Sequence, residues 1–209
     1  MDWRGNLIQR TMKNLNLLGL LLVLFISITS CKKDNPPPTT LEIKLVDNVG
    51  NPVSGASVNL YNTLSDFENN SNVISSKTSD VDGKVTFTDL NSKVYYWFAS
   101  IGCLNNYNGA GFTATPLTAN TNNSVTCVLT STGTLIFTNN SSDPYQVYNN
   151  GTLMFVANPG TTYTYNYKPT ANYIIRVVQV SGYVFTPTDL TFDQVTLTCG
   201  QTITFNFPN

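Results

Sequence analysis

The chain has 209 residues, a net charge of −1, 41% hydrophobic and 11% charged residues, and no histidine. The near-neutral balance argues against a nucleic-acid binder, which needs a basic face. The missing histidine removes Ser-His-Asp and Cys-His catalysis and the commonest transition-metal ligand, so no catalytic residue, cofactor or metal site is expected.

Arg4, Arg10 and Lys13 precede the apolar run LNLLGLLLVLFISI, and small residues follow it. A basic start, an apolar middle and a small-residue end make a secretory signal peptide over residues 1–30. Met12-Lys13 is the more typical start, which makes 1–11 an upstream extension. The apolar run is shorter than the roughly 20 residues a spanning helix needs. Ile28-Thr29-Ser30-Cys31 resembles the bacterial lipobox. That resemblance implies cleavage after Ser30, diacylglycerol on the Cys31 sulfur and an acylated, palmitate-type amine, so the membrane is a partner through the lipid on Cys31. Two or more acyl chains hold a protein durably where one is marginal. The other reading of Cys31 is a plain cysteine behind an ordinary signal.

Residues 31–40 then form the linker. Lys32, Lys33 and Asp34 resemble the charged tag of Bacteroidota-type surface lipoproteins, or are simply a solvated charge run. Lys32 is not the Asp associated with inner-membrane retention. The expected address is therefore the outer membrane, at the cell surface or on the periplasmic face. Pro36, Pro37 and Pro38 make a stiff spacer.

Beyond residue 40 the pattern is short alternating runs split by turn residues, without a helical run of useful length. The expected fold class is all-β: two small β-sandwich domains in tandem, over 41–130 and 131–209. LEIKLVD, ASVNLYN, VISSKTS, KVTFTDL, KVYYWFASI, FTATPL and SVTCVLT give seven strands for the first domain, with a hairpin at SDVDG. GNPVSGASVNLY, TSDVDGKVTFTDL and VYYWFAS resemble the carboxypeptidase-regulatory-like group of transthyretin-type sandwiches and its adhesin B-repeat relatives. Asp80 and Asp82 echo the start of a calcium loop, but turn chemistry is the better reading. Lys44 is the candidate lysine for an adhesin-type isopeptide bond, and no such bond is expected because the Tyr-rich strand lacks an acid.

The second domain opens at Ser131-Thr132-Gly133. It carries an Asn150-Gly151 hairpin signal and a Pro159-Gly160 turn. Its strand order resembles the PEGA-like β-modules of bacterial envelope proteins, without their name-giving tetrapeptide; a sandwich of its own type fits as well. Sequence alternation points Cys103 and Cys127 inward and favours a disulfide between them, with Cys199 a buried thiol, though other pairings stay open. Tyr163, Tyr165 and Tyr167 share one strand face. They either face the core or offer contact area to a protein or glycan. The Gly-rich loop NYNGAG has no following helix to make a phosphate cradle.

These readings imply a non-catalytic, lipid-anchored envelope protein presenting β-domains to a protein or glycan. The alternative is a pilus-type subunit or anchor, against which Arg176 counts: it is the only arginine beyond the linker, too deep for arginine-directed cleavage. A third reading is a carboxylate glycosidase using pairs among Asp66, Glu68, Asp80, Asp82 and Asp89.

Overall fold

Alternation at period two turns most of the segments after residue 39 into strands, and β1, β5, β8 and β12 bury about every second side chain. The computed structural model describes residues 35–109, 111–181 and 188–207. The signal segment, the lipobox and Cys31 lie outside them. The described residues are all-β except for one helical turn, and none of their helices is long and apolar enough to cross a membrane.

The first half comprises β1 (Thr40–Val46), β2 (Ser57–Tyr61), helix α1 (Leu64–Glu68), β3 (Ser75–Thr78), β4 (Lys84–Phe87), β5 (Tyr96–Ile101), β6 (Leu104–Asn105) and β7 (Asn122–Val128). A three-stranded sheet in the order β4-β1-β7 supplies Leu41, Ile43, Leu45, Val85, Phe87 and Cys127 to the first core. β2 and β5 supply Val58, Leu60, Trp97 and Ala99. The second half comprises β8 (Thr130–Asn139), β9 (Tyr145–Asn149), β10 (Thr152–Ala157), β11 (Thr162–Pro169), β12 (Ala171–Gln179), β13 (Asp189–Leu197) and β14 (Thr202–Phe207). Its core gathers Leu135, Phe137 and Phe205 with Val147, Ile175 and Val177 of the β10-β9-β12-β13 sheet. Phe137 stacks on Phe205 at 5.0 Å and meets Phe155 edge-on at 5.5 Å.

One sheet serves both cores. It runs β11-β8-β6-β5-β2-β3, with β14 also paired to β8. The first residues of β8 pair with β6, Ser131 with Leu104 and Thr130 with Asn105. Farther on, the same strand pairs antiparallel with β11 and parallel with β14.

Two expectations need correction. SDVDG is a turn but not a hairpin: β3 pairs with β2, whereas β4 pairs with β1. Asp80 closes that corner, its carboxylate accepting from the amides of Asp82 (2.9 Å) and Lys84 (2.8 Å). FTATPL forms no strand, and Phe112 only bridges to Tyr96. The polar loop after β2 holds the helical turn α1, started by Thr63, whose hydroxyl accepts from the Asp66 amide at 3.1 Å. Asn150-Gly151 does turn a hairpin between β9 and β10, with φ of +48° and +81°, the left-handed pair that a type I′ turn requires.

Candidate functional site

The disulfide joins Cys103 to Cys199, with Cα atoms 5.5 Å apart, and not Cys103 to Cys127. The reason is where alternation stops. β5 ends at Ile101 and Gly102 turns at φ +56°, so Cys103 does not continue the inward face of Trp97 and Ala99. Cys199 likewise lies past the end of β13, in the turn that leads to β14. Around the bridge, Thr132 donates from its amide to the Cys103 carbonyl at 3.0 Å, and its own carbonyl accepts from Gly200 at 2.8 Å. Cys127 is a buried thiol of the first core. Burial pushes it above the usual thiol range, against a hydrogen bond with Trp97 that pulls the other way.

The tyrosine stripe is split. Tyr163 and Tyr165 pack against the second core, Tyr163 4.7 Å from Phe155 and Tyr165 edge-on to Phe137 at 5.9 Å. A bulge follows Tyr165 in the β11–β8 register, and Tyr167 takes φ +56°. The extra residue reverses which side faces out. Tyr167 is thereby placed 4.9 Å from Tyr107 and 5.6 Å from Phe98. Its carbonyl accepts from the Asn108 side chain at 2.6 Å.

Those three rings form one side of a cleft of about 100 Å³, and Tyr61, Phe67, Glu68 and Asn70 complete its lining. Each wall has a local cause. Phe98 stands on β5 between buried Trp97 and Ala99, so alternation turns it outward. Tyr107 belongs to NYNGAG, where Asn106 holds the loop against β5: its amide donates to the Ala99 carbonyl at 3.3 Å and its side-chain oxygen accepts from the Ala99 amide at 2.8 Å. This loop is therefore a structural edge for β5 that presents a tyrosine. The capped turn α1 sets Phe67 edge-on to Tyr61, centroids 6.0 Å apart. The buried Tyr61 phenol donates to the Asn70 side chain at 2.6 Å, and burial raises its pKa above the ordinary phenol range. Sequence reading found Tyr167 for a different face and missed the rest, because the walls come from separate segments joined only by the shared sheet.

Of the five candidate acids, Glu68 alone lines this cleft, where glycoside hydrolysis needs two carboxylates. Asp66 lies in the first turn of α1 and is held below the usual carboxylate range by the Thr63 hydroxyl and the Asn72 side-chain amide. Asp80 is engaged in its turn, and Asp89 sits at φ +58°. Lys44 is exposed on β1 opposite Lys84. Among the described residues no cluster could hold a metal ion.

No protein-family model and no curated protein matches the chain. Among solved structures it is similar to a streptococcal ancillary pilin (15% identity over 85% of this chain, TM-score 0.40). It spans 65% of that pilin, so less than two thirds of its length. The minor pilin GBS52 of Streptococcus agalactiae (13% identity, 80% of this chain and 94% of that one, TM-score 0.33) is also similar. So is the shaft pilin SpaA of Lactobacillus rhamnosus GG (10% identity, 81% and 96%, TM-score 0.33).

Proposed function

We propose that the chain is a non-catalytic structural module of the cell envelope, tethered through lipid on Cys31 and serving as a stiff subunit or anchor of a pilus-type surface assembly. The observation that carries this reading is the continuous sheet: β8 hydrogen-bonds to strands of both cores, and the Cys103–Cys199 bridge fastens the same junction. A shared strand resists bending where a flexible linker would not. Arg176 of β12 pairs on the surface with Asp189, the first residue of the edge strand β13. Sedimentation of the full chain over a range of concentrations tests the proposal. Growth of ordered polymers supports it, and a single monomeric species at every concentration overturns the subunit role. A clickable fatty acid should label the wild-type chain in cells and fail to label Cys31→Ser; equal labelling overturns the tether.

The aromatic cleft favours a second reading, presentation of a binding surface to a protein or glycan. Exposed tyrosines offer contact area with a polar tip at low entropic cost. Capture of a ligand that Tyr167→Ala abolishes would establish it.

A further inference from the structure

The cleft at the junction of the two cores has the makings of a cation site. Its rings do not form a flat platform. Tyr61 and Phe67 meet at 78°, Phe98 and Tyr167 at 56°, and Tyr107 inclines 34° to Tyr167. Rings inclined to one another surround a compact group, whereas a sugar ring stacks best on one broad face and needs several hydrogen-bonding side chains around it. Asn70, the amide side chain in the lining, already accepts from Tyr61. The remaining polar groups are the Tyr107 and Tyr167 hydroxyls and the carboxylate of Glu68, the one formal charge, and no lysine or arginine lines the space. Among the described residues the ion pairs are Lys84–Glu42 and Arg176–Asp189, and neither involves Glu68. At about 100 Å³ the cleft is well below the roughly 300 Å³ at which sites for drug-sized ligands begin. Ring faces carry negative quadrupole charge, and several of them with one carboxylate attract a compact, weakly hydrated cation.

We propose that this cleft is an aromatic cage for an alkylammonium group, with the faces of Phe98, Tyr107 and Tyr167 contacting its methyl or methylene groups and Glu68 supplying the counter-charge. The group could be carried by a choline-type headgroup or by a methylated lysine side chain, which share the chemistry the cage reads. The proposal rests on the ligand-presenting reading and names its ligand class.

Amide NMR titration of the full chain tests it with four probes: choline, Nα-acetyl-Nε-trimethyl-lysine amide, the uncharged choline isostere 3,3-dimethylbutan-1-ol, and methyl glucoside. The two cations are expected to perturb Phe98, Tyr107 and Tyr167, and the stronger of them identifies the source. The neutral isostere should bind at least about tenfold more weakly, because the cation–ring attraction is lost. Tyr167→Ala and Tyr107→Ala should each cost about tenfold, and Glu68→Gln a few-fold in a salt-sensitive manner. The tyrosines are 40% and 55% exposed and belong to neither core, so these variants keep their cores, checked by an unchanged unfolding midpoint. Leu153→Ala, an exposed position in β10 and not a lining residue, should change nothing. Equal binding of the neutral isostere overturns the cage. Glucoside binding with both cations inert overturns it while leaving the ligand-presenting reading standing. Silence of all four probes, with captured ligands unaffected by Tyr167→Ala, overturns both.

Discussion

The Cys103–Cys199 bridge closes a loop between residues 96 apart in sequence, and such a cross-link restricts the unfolded chain more than it improves any native contact. Native bridges typically contribute about 2–4 kcal/mol, with chain-entropy arithmetic for a loop of this length giving somewhat more. Cys199→Ser should therefore lower unfolding stability by about 2–4 kcal/mol in urea, with no matching loss for Cys103→Ser added on top. Additive losses from the two substitutions would argue that the residues act separately. Cys127, raised by burial, should resist thiol reagents until the chain unfolds. The pairing was not legible in the sequence because both bridged cysteines sit just past strand ends, where the period of two no longer tells direction. The same break misplaced Tyr167, which sits within a bulge that no composition signal announces. Tyr163 and Tyr165, still inside the regular register, face the core as alternation dictates.

At the scale of the element, β8 has the most demanding position. A Cβ at its Gly133 would lie 2.6 Å from the Gln201 carbonyl and 2.7 Å from Leu197 Cδ1. Backbone from the β13–β14 turn approaches too closely for any side chain, so Gly133→Ala must push that turn away. Overpacking of this kind costs about 1–3 kcal/mol. The substitution should lower the thermal midpoint by several degrees and expose the adjacent disulfide to mild reductant; an unchanged midpoint would refute the close approach. Most strands, though not FTATPL, and the Asn150-Gly151 hairpin were readable from alternation and turn chemistry. Sheet membership was not: β3 and β4 are joined by five residues yet enter different sheets, a choice made by which partner buries Val85 and Phe87. The one-turn helix α1 was hidden because five residues are too few to show a period.

For the whole molecule, the all-β class was legible in the Thr-, Asn- and Tyr-rich composition, while the sheet common to both cores was not, since pairing of β6 with β8 leaves no local trace. Burial raises the phenols of Tyr61, Tyr145, Tyr165 and Tyr173 above their ordinary value. Because the folded values lie above the unfolded ones, their contribution is fully present below about pH 10 and is lost as pH rises through the folded values. Alkaline titration should show these tyrosines ionising late, together with a falling thermal midpoint; ordinary phenol titration without loss of stability would contradict this. The central claim is that two cores, one sheet and one bridge make a single stiff unit. Differential scanning calorimetry of the oxidised full chain tests it most directly. The account predicts one transition whose calorimetric and van't Hoff enthalpies agree; two resolved transitions, one for each core, would contradict it.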